Sequence, residues 1–317
     1  MAIPLRNPER ILKRLEWTVI RRLDGLLHGD YRTLFRGAGL DLADLREYQY
    51  HDDVRHIDWN VTARLDAPYV REYHEDRDLT AWFIVDLSPS IDFGSRAIRK
   101  SGVAQDFVAV LARVLSRHGN RVAAALWGSA LHAVIPPGAG RRHVLSILQR
   151  MIAETRPGDG RVTDVGAFLR AARPLLARRS LVFVISDFIS GRGFGDALGR
   201  LAERHEVIAV RVHDPLEGEL PDFGLVTVED AETREQLFVD THDPVFRRRF
   251  VEASARREEA LRRTFRDAGV DALELSTDGD VGDAILRFAE LRRRRSRLAA
   301  GAVLPRIERR PDALPVA

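Results

Sequence analysis

Residues 81–95 read Ala81-Trp82-Phe83-Ile84-Val85-Asp86-Leu87-Ser88-Pro89-Ser90-Ile91-Asp92-Phe93-Gly94-Ser95. Ala81 to Val85 is an apolar run without alternation, the pattern of a strand covered on both faces, as in a parallel sheet. The run stops at Asp86, and Ser88 and Ser90 follow at alternate positions. At the C-terminal end of a central parallel strand, these side chains would present three oxygens to the crevice where open α/β sheets bind ligands. Hydroxyls with few charges suit a hard cation such as Mg²⁺, which keeps several of its waters. The same residues also suit a plain helix start, with Asp86 and Ser88 as caps.

Outward from this stretch, strands and helices alternate. A helix over Ile98–His118 has Ala104, Phe107, Val108, Leu111 and Leu115 on one face and ends at Gly119-Asn120. Arg121–Trp127 and Leu131–Ile135 read as a hairpin, broken by Pro136-Pro137-Gly138. Helices are expected near 141–154 and 164–177. Leu181–Ile185 is a second apolar strand, again ending in polar residues, Ser186-Asp187. A helix near 195–204, a strand Val207–Val212 and a hairpin of Leu225–Val228 with Gln236–Val239 follow. Asp243-Pro244 then opens a long helix as N-cap and first-turn proline. Its expected core face is Phe246, Phe250, Ala253, Leu261 and Phe265, with Glu258–Arg262 and Glu259–Arg263 as i,i+4 pairs. Ala272–Leu275 is the last strand and 281–296 the last helix.

That order implies an α/β fold with a doubly wound, mostly parallel sheet from residue 81 onward. Such a sheet sets the ends of its central strands side by side, so Asp86 and Asp187 should face one crevice. Without a cation between them the two carboxylates would repel, and Asp187→Asn would then be neutral or stabilising. Thr163, in Gly158-Asp159-Gly160-Arg161-Val162-Thr163-Asp164, opens a helix and is either an N-cap or a further oxygen donor to that crevice.

Upstream, residues 8–27 carry Leu12, Leu15, Val19, Leu23 and Leu26 at helical spacing. Residues 30–80 are richer in charges and aromatics, and short strands near Asp44–Tyr50 and Tyr69–Tyr73 fit them best. The organisation expected is an N-terminal helix and short-strand layer over 1–80, the α/β domain over 81–296, and a disordered tail over 297–317.

The chain has 317 residues, 45% hydrophobic and 31% charged, and no cysteine. Disulfides, thiolate metal sites and cysteine nucleophiles are thereby excluded. Its net charge is +3, with a pI near 9.6 and only two lysines, Lys13 and Lys100. No 18-residue apolar run and no signal-peptide pattern occur, so no membrane insertion and a cytoplasmic location are expected. Arg292-Arg293-Arg294-Arg295-Ser296-Arg297 could meet nucleic acid, but cations also suit the end of a helix, and nucleic acid is not the expected partner. His51, Asp52, Asp53, His56 and Asp58 could form a hydrolytic metal centre. There is no G-x-x-x-x-G-K-[ST] and no G-x-S-x-G, which argues against ATP hydrolysis and against a serine hydrolase.

Two resemblances carry function. Asp86, Ser88, Ser90, Thr163 and Asp187 are similar to the metal-ion-dependent adhesion site of von Willebrand factor type A domains. Asp44-Leu45-Arg46-Glu47-Tyr48, Asp52–Trp59, Thr62-Ala63-Arg64 and Val70-Arg71-Glu72-Tyr73, running into Val85-Asp86, resemble the bacterial domain of unknown function 58 family. The resemblance implies that Ser88 and Ser90 ligate Mg²⁺ or another divalent cation directly, and Thr163 directly or through water. Asp86 and Asp187 would act largely through water. It also implies that Asp53, Arg55, Asp58 and Arg64 form a structural network rather than a hydrolase centre. Function, by the same resemblance, is non-enzymatic: a protein partner supplies a carboxylate to the metal, and the chain is an adaptor of a MoxR-type AAA+ ATPase in assembly or remodelling of protein complexes.

Overall fold

The computed structural model of the protein describes residues 7–20, 44–49, 57, 59–65, 67–72, 80–95, 98–154, 163–189 and 193–301. Helix α1 (Pro8–Leu15) starts at Asn7, whose side chain accepts from the Glu9 and Arg10 amides, and passes into a π-turn over Glu16–Ile20. Strands β1 (Asp44–Glu47) and β2 (Tyr69–Glu72) pair antiparallel, with a short helix α2 (Trp59–Leu65) between them. The strands were legible, the helix was not.

The main body follows as β3 (Thr80–Asp86), α3 (Lys100–Arg117), β4 (Arg121–Trp127), β5 (Leu131–Gly138), α4 (Arg141–Glu154), α5 (Val165–Ala172), β6 (Leu181–Ser186), α6 (Phe194–Ala202) and β7 (Glu206–His213). The hairpin β8 (Leu225–Glu229) and β9 (Gln236–Asp240) comes next, then α7 (Pro244–Asp267), β10 (Asp271–Ser276) and α8 (Val281–Gly301). The sheet order is β10-β7-β6-β3-β4-β5, parallel throughout except for the edge strand β5. This is the expected doubly wound, mostly parallel α/β sheet.

The sheet is covered on both sides, which explains why its strands do not alternate. Phe83, Val85, Phe183 and Ile185 pack under α1, α3, α4 and α8 on one face. Trp82, Ile84, Val182 and Val184 pack under α5, α6 and the end of α7 on the other. The face expected for α3 is too narrow, because nearly every residue from Lys100 to Leu115 is buried. The first helix lies over its outer side, with ion pairs Arg14–Asp106 at 2.5 Å and Arg113–Glu16 at 2.8 Å.

Three further expectations are corrected. Pro136 and Pro137 do not break β5, because they fall where its register against β4 slips, between Ile135 and Gly138, on an edge strand whose outer side needs no amide. Along α7 only Ser254 and Phe265 are buried, Phe246, Phe250 and Leu261 are half-buried, and Ala253 is exposed. Glu258 is taken by Arg211 of β7 in a two-pronged pair, and Arg262 turns to Glu274 at 3.6 Å; only Glu259–Arg263 pairs as expected, at 3.2 Å. No helix of the described residues is long and apolar enough to cross a membrane.

Candidate metal centre

Strand β3 lies at the middle of the sheet. From it the chain winds to β4 on one side, and β6 lies on the other, so the C-terminal ends of β3 and β6 flank the point where winding reverses. Ligand crevices of open α/β sheets form there. The parallel register pairs Val85 with Ile185, which brings the next residues, Asp86 and Ser186, together. Ser186 Oγ donates to Asp86 Oδ2 at 2.6 Å, and the Ser88 amide donates to Asp86 Oδ1 at 2.8 Å. Ser88 precedes a 3-10 turn over Pro89–Asp92 but makes no capping bond; its Oγ lies 3.0 Å from Ser90 Oγ. Neither residue caps α3, whose N-cap is Arg99. The capping alternative therefore fails for Asp86 and Ser88.

Asp187 follows β6 directly. Its Oδ1 accepts from the Ile189 amide at 3.0 Å, while Phe188 between them stands at φ 55°, in the left-handed region. A phenylalanine there costs roughly 1–2 kcal/mol. The ring is held by Phe194 and Phe265, with centroids 5.7 and 5.0 Å away, so packing fixes the turn that aims Asp187.

The sequence reading did not foresee the occupant of Asp187. Lys100, the first residue of α3, extends its ammonium to Asp187 Oδ2 at 2.7 Å and to Glu217 Oε1 at 2.6 Å, with its side chain only 1% exposed. Burial pushes the Lys100 ammonium down, but the carboxylates of Asp187 and Glu217 outweigh it and hold the group above its ordinary value. The expected pair of carboxylates without a cation between them is thus wrong for Asp187, which has a cation of the chain's own. Asp86 lacks one. Burial first, and the Asp187 charge second, raise its carboxyl to about 6, against the hydrogen bonds from Ser186 and Ser88.

Thr163 is buried just before α5, whose N-cap is Asp164 accepting from Ala167 N at 2.9 Å. Thr163 is therefore not that cap. Its amide donates to Glu232 Oε2 at 2.9 Å, and Glu232 comes from the β8–β9 turn. Asp86, Ser88, Ser90 and Asp187 are thus brought to one end of β3 and β6, while the Thr163 bond runs to the hairpin. Ser186 is legible only as a polar strand end, and Lys100, Glu217 and Glu232 escape the sequence reading. Of the last three, only Lys100 leaves a signal: a lysine kept in a chain whose other cations are almost all arginine.

The donors fit a hard cation. Adjacent oxygens of an octahedral Mg²⁺ shell, each about 2.0–2.1 Å from the ion, stand roughly 2.9 Å apart. The Ser88 and Ser90 hydroxyls are 3.0 Å apart. Both oxygens of Asp86 and both of Asp187 already accept hydrogen bonds, which suits carboxylates acting through water. Among the described residues no group of three or more His, Cys, Asp or Glu side chains could hold a metal, so a cation here depends on hydroxyls.

Family membership follows from the chain at large. Residues 44–260 match the model of the family described as Protein of unknown function DUF58. The chain belongs to that family. A DUF58 chain of this length has close company in mycobacteria: uncharacterized proteins of Mycobacterium tuberculosis and Mycobacterium bovis are each 38% identical over 286 residues, 89% of this chain and 89% of theirs. Among solved structures, BatB from Bacteroides thetaiotaomicron aligns with 68% of this chain and 99% of its own, at TM-score 0.43 and 12% identity.

The other candidates of this DUF58 sequence fare differently. His51, Asp52, Asp53, Arg55, His56 and Asp58 lie outside the described residues, as do Gly158–Val162, Leu23 and Leu26, and residues 302–317 of the expected tail, whose first part, 297–301, instead continues helix α8. In the basic run, Arg292 is buried against Glu206 at 2.8 Å and Asp271 at 2.9 Å, Arg295 pairs with Asp271, and Arg294 with Glu290. Of these guanidinium groups only Arg292 is built into the fold; Arg294 and Arg295 pair at the exposed surface.

The raised Asp86 carboxyl gives the site a pH signature. A folded-state value of about 6 against an ordinary 3.8 means that this group's stabilisation is complete below the lower value and lost as pH rises through the upper one. Two units correspond to about 3 kcal/mol. In chelator, Asp86→Asn should therefore gain on the wild type between pH 5 and pH 8. Denaturation midpoints at the two pH values check this, and a gap that does not move would show that Asp86 is ionised throughout at no cost.

Proposed function

We propose that this chain is a non-enzymatic protein-binding module in which Asp86, Ser88, Ser90, Thr163 and Asp187 hold Mg²⁺ or another divalent cation and a protein partner adds a carboxylate. The 3.0 Å separation of the Ser88 and Ser90 hydroxyls at the winding reversal carries this reading. When bound, the cation supplies positive charge that a partner's carboxylate can meet. The chain's own residues do the rest. Ser88 and Ser90 offer neutral oxygens, so the site retains positive charge; Asp86 and Asp187 orient water; Lys100 holds Asp187 in place. One docking point of this kind recognises an acidic side chain by charge and geometry together. The partner suggested by the family resemblance is a MoxR-type AAA+ ATPase, with this chain as adaptor in assembly or remodelling of protein complexes.

A ligand that binds only the folded state stabilises it by mass action, about 2.7 kcal/mol at 100 times its dissociation constant. Melting temperature should accordingly rise with Mg²⁺ and fall back in chelator. The Ser88→Ala/Ser90→Ala double variant should fold normally yet lose that response. It should also lose the magnesium-dependent part of ATPase binding in a pull-down. A wild-type chain indifferent to both Mg²⁺ and chelator would end the metal reading. Equal retention of the ATPase by the double variant would move the interface elsewhere.

A further inference from the structure

The turn between β8 and β9 is exposed at Glu229, Asp230, Thr233, Arg234 and Glu235, yet it buries one side chain, Glu232, which is 8% exposed. An anchor for a hairpin tip would ordinarily be apolar, because an unpaired buried polar atom costs on the order of 1–3 kcal/mol and more when charged. Glu232 is half paired: Oε2 accepts from the Thr163 amide at 2.9 Å, and Oε1 is buried with no hydrogen-bond partner among the described residues. The turn is built to deliver it. Asp230 Oδ1 accepts from the amides of Glu232 and Thr233 at 2.9 and 2.7 Å, and the Asp230 amide donates to the Glu235 carbonyl at 2.9 Å. Arg234, at φ 62°, takes the left-handed conformation that closes the loop.

From this we infer that Glu232 belongs to the metal centre as an outer carboxylate, one oxygen fixing Thr163 and the other accepting a hydrogen bond from a water held by the cation. The inference rests on the metal reading of the preceding section. It supplies a reason for a half-satisfied carboxylate in an otherwise exposed turn. Such outer partners orient first ligands, and losing one typically weakens metal binding about 10–100-fold. The β8–β9 hairpin thereby becomes part of the site rather than decoration on its rim.

Titration of the full chain with MgCl₂, followed by calorimetry and by melting temperature, tests this with Glu232→Gln. The amide oxygen of glutamine can still accept from Thr163 N, but its NH₂ group cannot accept from a water. Expected is a dissociation constant for Mg²⁺ raised 10–100-fold, with stability in chelator equal to the wild type or higher. Glu235→Gln removes the same charge from an exposed position of the same turn and should leave the constant unchanged. An unchanged constant in Glu232→Gln, beside a wild type that responds to Mg²⁺, overturns this inference and leaves the metal reading standing. Equal weakening in both variants also overturns it, since long-range charge would then suffice. A wild type that ignores Mg²⁺ overturns the inference together with the metal reading.

Discussion

Lys100→Met should destabilise the protein in chelator by about 3–5 kcal/mol, the usual cost of removing one partner from a buried ion pair. Methionine nearly matches the length and volume of lysine, so little of the loss would come from packing. What disappears is the only cation among the described residues that touches Asp187 and Glu217, at 2.7 and 2.6 Å. Asp187 is almost wholly buried and cannot recover its hydration; Glu217 is a little more open and loses less. The damage should also spread. Glu217 ends a 3-10 turn whose carbonyl accepts from Ser254 Oγ of α7 at 2.8 Å, so Lys100 ties the ends of β6 and β7 to that helix. A second expectation separates electrostatics from packing. With Lys100 gone, the crevice holds one more net negative charge, so Mg²⁺ should raise the denaturation midpoint of the variant more than that of the wild type. Urea denaturation with and without Mg²⁺ measures both. A loss below about 1 kcal/mol in chelator would mean that water, not Lys100, compensates these carboxylates.

That lysine marks where sequence reasoning reached and where it stopped. Sheet and helices were legible because β3 and β6 are apolar on both faces, a pattern written in five consecutive residues. Asp86, Ser88 and Ser90 were legible for the same reason, since their convergence needs only a strand end and a tight turn. Asp187 came next, through the register that a parallel sheet imposes. The partners of these groups were not legible. Lys100 meets Asp187 across 87 residues and Glu217 across 117, and nothing in local spacing announces either contact. Glu232 reaches Thr163 across 69 residues, from a turn whose pattern reads as wholly solvated. Errors in α3 and α7 share one origin. Periodicity gives the direction of an apolar face but not how much of the helix other elements cover. The N-terminal helix covers the outside of α3, and most of α7 is covered by nothing among the described residues.

Asp187→Asn puts these two levels of reasoning in opposition. Two carboxylates a few ångströms apart at an effective dielectric near 20 repel by on the order of a few kcal/mol, so neutralising one should help. Asn is nearly isosteric, and its Oδ1 could keep the bond from the Ile189 amide. Asp187, however, is already paired at 2.7 Å with Lys100, although its charge still helps to raise the Asp86 carboxyl. Removing the charge leaves a buried ammonium with Glu217 alone. Burial pushes that ammonium down, and the Asp187 charge is the foremost influence holding it up. The loss should therefore exceed the relief, and Asp187→Asn should be less stable than the wild type in chelator by about 3 kcal/mol. Its response to Mg²⁺ should shrink as well, because an anion of the proposed metal centre is missing. A residue that was only a salt-bridge member would show the first effect without the second. A residue of an otherwise cation-free crevice would show the second with a gain in place of the first. Melts of both proteins with Mg²⁺ and with chelator distinguish all three patterns, and a variant as stable as the wild type in chelator would mean that carboxylate repulsion, not the Lys100 pair, dominates this end of the sheet.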